Sequence, residues 1–264
     1  MKSKSLITAV IAIVMTVSAI QTANSQVLIT LIFGNKLNSP TLKFGLDGGA
    51  NFSNITNINP SKFTTGFNLG FYFDILLKEK KPWYIHTGVL VKSPLGADGI
   101  KPYSLGNPDL DTLFANGTVE RQLRYFNVPV EIRYMYKAKV FIEGGINLGL
   151  LNKANDVFFA DINEKNDLSY INDVESQYKR IDAGIICGLG YQFKKGNGDN
   201  IGIRYYYGLM DILKDNPGDP QHNSSIYLFA SIPIGAGEKA QEKNAARAKE
   251  KAEKKAAKAE EQKK

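Results

Sequence analysis

One cysteine, two histidines and one tryptophan among 264 residues close off several chemistries at once. A lone Cys187 cannot form an internal disulfide, and neither histidine has cysteine partners at zinc-ligand spacing, so no metal and no cofactor is expected. Long hydrophobic runs are missing too. The longest, over 6–20, has about fifteen residues, short of the ~20 that a helix needs to cross a bilayer.

Charge of one sign is also scarce where it would matter. Of 33 basic and 26 acidic residues, two lysines lie in 1–25, and ten basic with six acidic residues lie in 236–264, which leaves 21 basic against 20 acidic for the rest. The ends therefore carry +6 of the formal +7, and no basic surface remains to recognise nucleic acid.

The chain opens with Lys2 and Lys4, continues through the short apolar run and reaches Ala23-Asn24-Ser25, with small residues at both positions that a signal peptidase reads. Residues 1–25 are expected to be a signal peptide cut before Gln26, followed by a mature N-terminal segment over 26–41. Its apolar stretch from Val27 to Phe33 suits a short helix or a strand extension equally.

From 42 to 235 the pattern is one of repeated alternation. Eight segments are joined by links that run long, short, long, short, long, short, long: 54–65, 78–82, 93–122, 137–139, 152–178, 194–199 and 211–223. If the strands run up and down, all long links fall on one rim and all short ones on the other, as in outer-membrane barrels with long extracellular loops and tight periplasmic turns. The expected fold is all-β, an eight-stranded antiparallel up-and-down transmembrane β-barrel over 42–235, with a helical or disordered Lys/Ala/Glu-rich tail over 236–264.

Face composition separates this barrel from a water-soluble one. Phe67, Leu69, Phe71, Phe73 and Ile75 share one face and Asn68, Gly70, Tyr72 and Asp74 the other. The same division sets Ile181, Ile185, Leu189 and Tyr191 against Asp182, Gly184, Gly188 and Gly190. Glycine offers water nothing and fits a crowded lumen, so the glycine and charged face is expected inside and the apolar face against lipid. The interior charge network would comprise Lys43, Asp47, Asp74, His86, Glu131, Arg133, Glu143, Arg180, Asp182 and Arg204. Tight turns place Asp74 across from His86 and Arg133 across from Glu143. Trp83, Tyr134, Tyr136, Tyr191 and Phe193, near the short turns, suit the periplasmic aromatic girdle.

Four segments resemble a known family. Phe44-Gly45-Leu46-Asp47-Gly48-Gly49-Ala50-Asn51-Phe52-Ser53, Tyr125-Phe126-Asn127-Val128-Pro129-Val130-Glu131, Ile181-Asp182-Ala183-Gly184-Ile185 through Gly190-Tyr191, and Arg204-Tyr205-Tyr206-Tyr207-Gly208-Leu209 are similar to the PorT-like family of bacterial outer-membrane β-barrels. The resemblance covers about 42–235 and implies the barrel in a Gram-negative cell envelope. The chain departs from the usual outer-membrane ending, an aromatic residue closing the last strand, because Ile232-Pro233-Ile234-Gly235 leads into the tail.

The expected role is structural or interactive, through the extracellular loops and without catalysis. Expected partners are outer-membrane lipid and lipopolysaccharide, with periplasmic anionic polymer at the tail, and the protein is expected to be a monomer. Two alternatives stand beside it. His86 and Asp74 could serve an envelope hydrolase as base and orienting carboxylate, or the charged interior could form a narrow channel. An even strand count puts the tail in the periplasm with the mature N-terminus. External trypsin on intact cells should therefore spare the lysine-rich 236–264, and permeabilised cells should lose it; cleavage in sealed cells would reverse the topology.

Overall fold

The computed structural model describes residues 41–78, 81–137, 139–161, 168–193 and 199–234. The expected signal peptide, the mature segment up to residue 40 and the tail lie outside them. The chain forms two units, Gly45–Ile232 and a second made of Met1–Phe44 with Pro233–Lys264. Within the second, the Ile234 N–H donates to the Phe44 carbonyl at 2.9 Å.

The first unit is built from nine strands: β1 (Leu42–Ile55, entering from the second unit), β2 (Thr64–Lys78), β3 (Lys81–Ile100), β4 (Thr118–Tyr136), β5 (Val140–Ala160), β6 (Leu168–Asp173), β7 (Ile181–Gln192), β8 (Asn200–Gly208) and β9 (Asn223–Pro233). A short helix, α1 (Pro108–Phe114), lies between β3 and β4. The strand order β4-β3-β2-β1-β9-β8-β7-β5-β6, with β4 also paired to β5, closes eight strands into an antiparallel ring and leaves β6 attached outside it. Closure removes the unpaired edges that lipid could not satisfy.

Register follows from the tight turns. Asp74 faces His86 across β2 and β3, and Arg133 faces Glu143 across β4 and β5. Side chains then alternate. Phe126, Val130, Ile132 and Tyr136 on β4 are exposed, as are Val140, Ile142, Ile146, Leu148 and Leu150 on β5, while Asn127, Glu131, Arg133, Glu143 and Asn147 between them are buried. Each of these apolar bands spans about 11 residues, which matches the ~9–11 of a tilted membrane-crossing strand. Cys187 is exposed on the same outward face of β7.

Beyond that band the polarity inverts. On β4, Val119, Leu123 and Tyr125 are buried while Thr118 and Arg124 are exposed. Ile55, Leu95, Leu123, Leu151, Ala154, Ile186 and Tyr206 share one core inside the long-link end of the ring. Two expected links are therefore corrected. Most of 93–122 is the continuation of β3 and β4 with α1 between them, and most of 152–178 is a hairpin of β5 and β6. The interior concentrates its charge in the middle, and at the long-link end apolar packing is mixed with buried polar residues such as Asn51, Asp182 and Asn223. Beside α1, a second core of Phe114, Val119, Phe158 and Ala160 fixes the raised sheet.

The outward assignment has a depth-dependent consequence. Ile185, in the middle of β7 and 54% exposed, should cost roughly 2–4 kcal/mol when replaced by Arg, whereas Ile201→Arg, beside the girdle residue Tyr191, should cost roughly 0–1 kcal/mol. Urea unfolding from lipid vesicles measures both, and equal penalties would contradict the assigned depth.

Candidate functional site

Seven ionisable side chains from six strands meet inside the ring. Arg204 on β8 is their hub: its Nε donates to Glu143 Oε1 at 2.7 Å, its Nη1 donates to Asp47 Oδ2 at 2.9 Å, and Glu131 Oε1 lies 3.5 Å from Nε. Arg133 on β4 donates through Nε to Glu143 Oε2 at 2.8 Å and through Nη1 to Asp74 Oδ2 at 3.0 Å. Both guanidiniums lie over aromatic rings, Arg133 over Phe141 at 4.2 Å and Arg204 over Phe229 at 3.7 Å. Gly188 leaves the space that Arg204 needs, since a β-carbon there would come within 2.8 Å of Arg204 Cγ.

His86 completes the cluster. Its Nδ1 lies 2.6 Å from Asp74 Oδ1, its Nε2 lies 3.0 Å from Arg204 Nη2 and 3.8 Å from Asp47 Oδ2, and its ring stacks on Tyr72 at 5.4 Å. A guanidinium thus occupies the side from which a base would take a proton. Beside the cluster is a cavity of about 20 Å³ lined by Asp47, Asn68, Glu131, Asn147 and Arg204, room for a single water. Burial of so many charges is costly unless each is paired and hydrogen-bonded, and here the carboxylates are met mainly by two guanidiniums. Among the described residues, no group of His, Cys, Asp and Glu is arranged to hold a metal ion.

Two expected members stand apart from this cluster, and a third belongs to the second unit. Asp182 is buried but accepts from Asn223 Nδ2 at 2.8 Å. It sits opposite Gly149, six residues along β5 from Glu143, or ~20 Å of strand. Arg180 is exposed, because β7 begins only at Ile181 and strand alternation does not reach it. Lys43 is partly buried and belongs to the second unit. Among the aromatic residues, Trp83 packs on Tyr134 at 4.8 Å, Tyr191 meets Phe193 at 5.6 Å, and Tyr136 is exposed near the turn with Lys137.

A second constellation, absent from the expected set, holds the raised sheet together. Arg121 on β4 grips Asp156 on β5 with two hydrogen bonds of 2.9 and 2.7 Å. Tyr103 donates to Asp156 Oδ2 at 2.9 Å and accepts from Asn172 Nδ2 at 2.9 Å, which ties the β3–β4 link to β6. Burial and the adjacent Asp156 carboxylate push the Tyr103 hydroxyl up to about 12. The available signal was alternation of the opposite sense, Val119 and Leu123 inward against Glu120 and Gln122 outward, across a segment expected to be a loop.

The family described as outer membrane protein beta-barrel domain matches residues 33–214. No curated protein matches the chain. Among solved structures, the chain is similar to Ail, the attachment invasion locus protein of Yersinia pestis, in complex with the heparin analogue sucrose octasulfate, at 14% identity over 72% of this chain and 97% of that one, with a TM-score of 0.40. It is also similar to Neisserial surface protein A (10% identity, 72% and 96% covered, TM-score 0.38) and to OprG of Pseudomonas aeruginosa (12%, 74% and 97%, 0.32).

Removing one member of the interior cluster should be far more damaging than removing a rim charge. Arg133→Met would strand Asp74 and Glu143 and should cost about 3–5 kcal/mol, while Lys137→Met, exposed at the β4–β5 turn, should stay within about 0.5 kcal/mol. An Arg133→Met barrel that unfolds from vesicles at the wild-type urea concentration would remove the cluster from the account.

Proposed function

This chain belongs to the outer membrane protein β-barrel domain family and is an outer-membrane protein; we propose that it works as an interaction or structural protein of the cell envelope, binding through its long-link rim on the extracellular side and catalysing no reaction. The observation that carries this reading is the raised sheet of β3, β4, β5 and β6. From Arg124 to Thr118, β4 continues about 20 Å beyond its apolar band, and the sheet has its own core and its own buried Arg121–Asp156 pair. A rigid scaffold held clear of the bilayer suits recognition better than a flexible loop does. At its margin β6 ends the strand order, with Tyr170 and Ile171 exposed at 37% and 62%. Such an edge can accept a further strand from a partner.

The finer family assignment proposed is the PorT-like group, supported by the four segments around Asp47, Asn127, Asp182 and Arg204. Two features weigh against the rival roles. His86 Nε2 faces Arg204, which disfavours the hydrolase. The charge cluster spans the lumen and leaves beside it a cavity fit for one water, which disfavours the channel. The proposed partners remain outer-membrane lipid and lipopolysaccharide around a monomeric barrel, with periplasmic anionic polymer at 236–264.

A photo-crosslinking residue at Ile171, activated on intact cells, should give a discrete adduct to an envelope or extracellular component, and the same residue at Lys137 should give none of that mass. Adducts at Lys137 alone, or none at Ile171, would contradict the interaction reading.

A further inference from the structure

On the outer wall, where the apolar band ends, β2 and β3 part company. Their ladder reaches Leu69 opposite Lys92, with a register shift at Leu69/Gly70, and pairing with β3 resumes only where Lys62 bridges to Asp98; the β3–β4 ladder is shifted between Leu90 and Ser93. Between those two points β2 and β3 are unpaired, and the Thr64 hydroxyl donates to Glu120 on β4. The result is an opening of about 490 Å³ between the strands, lined from the exposed Phe67, Val91 and Phe126 in to the buried Ser93, Leu95 and Tyr125, and within the size range of small-molecule sites. Phe67, Val91, Pro94 and Phe126 form its apolar part, and its polar lining includes Lys92 and Arg124 together with Glu120, whose carboxylate accepts from Thr64 and from Gln122.

The cations here are arranged unfavourably for a bare protein. Arg124 is directly opposite Lys153 in the β4–β5 ladder, so the two exposed like charges emerge on the same face. Such a pair weakens a sheet. Neither side chain, nor that of Lys92, has a salt-bridge partner among the described residues, and Lys92 rests 5.8 Å from the Phe67 ring centre. Below them on the same face come Phe126 and Leu150, which belong to the lipid-facing band. An anion bound between Arg124 and Lys153 and attached to an apolar chain would relieve the repulsion and fill the opening together.

We propose that this opening and the Lys92–Arg124–Lys153 cluster bind the phosphorylated glycolipid of the outer leaflet, its phosphate between the cations and an acyl chain along Phe67, Val91 and Phe126. The assignment to the outer leaflet rests on the extracellular placement of the long-link rim proposed above. Phosphate accepts several charge-assisted hydrogen bonds from Arg and Lys, and the headgroup level of a bilayer coincides with the end of the apolar band.

Native mass spectrometry of the detergent-purified protein tests this with three probes: bisphosphorylated lipid A, the same lipid dephosphorylated, and phosphatidylglycerol. Wild type should retain bisphosphorylated lipid A best. Arg124→Gln with Lys153→Gln should weaken that binding at least about tenfold, Lys92→Gln alone should weaken it less, and Lys137→Gln at the opposite rim should leave it unchanged. Each variant is first checked for the compact unboiled band. Without lipid, the double variant should melt no lower than wild type, because a repulsion has gone. Wild-type affinity in the double and Lys92→Gln variants, or equal binding of the dephosphorylated lipid, would overturn the site. Equal binding of phosphatidylglycerol would overturn the outer-leaflet assignment. Failure here leaves the β6 edge reading standing, since cross-linking at Ile171 uses different residues.

Discussion

Arg204 is the side chain on which the interior depends. From β8 it reaches Asp47 on β1, Glu131 on β4 and Glu143 on β5 and touches the His86 ring on β3, so one guanidinium connects five walls of the ring across the lumen. Ring closure makes this necessary. With alternate residues committed to lipid, those between them must fill an interior only a few side chains wide. Charges placed there are tolerable only when they are paired; Arg133, bridging Asp74 and Glu143, supplies the second half of the set, while Glu131 is met by Arg204 only at 3.5 Å and neither of its oxygens has a hydrogen-bond partner among the described residues.

The same alternation explains why the barrel has three tiers. Around the lipid band, apolar residues face out and the charge cluster faces in. Past Arg124 and Lys153 the surroundings become aqueous, and the strands carry Glu120 and Gln122 outward while Val119, Leu123 and Ala154 turn inward. The strands continue through a register shift at Arg124/Tyr125, and the solvent around them changes. The cationic pair Arg124–Lys153 lies at that change, and the raised sheet begins there.

Much of this was legible in the residues, and the exceptions have a physical cause. Period-two alternation of Phe126 through Tyr136 and of Ile181 through Tyr191 defines both the strands and their lipid face, and short turns define the Asp74–His86 and Arg133–Glu143 registers. The strand ends were misjudged because an apolar-out criterion fails where water replaces lipid, so 118–122 and 153–160 resembled loop. Arg121 and Asp156 were missed with them. Arg180 lies before the start of β7, where strand parity no longer applies, and Asp182 shares the inward parity of the cluster but sits ~20 Å further along the strand. No local pattern identifies Arg204 as the hub, because its partners are 61 and 157 residues away in sequence.

One face of every ring strand meets lipid, while the other encloses a filled, charged lumen. Solid-state NMR of the reconstituted barrel, with magnetisation transferred from lipid acyl-chain protons to the protein, reads this directly and without substitutions. Transfer should be strong and early to Ile185, Cys187 and Leu189 on β7, and weak to Asp182, Gly184 and Gly188. Uniform transfer along β7, or the reverse alternation, would contradict that division of faces.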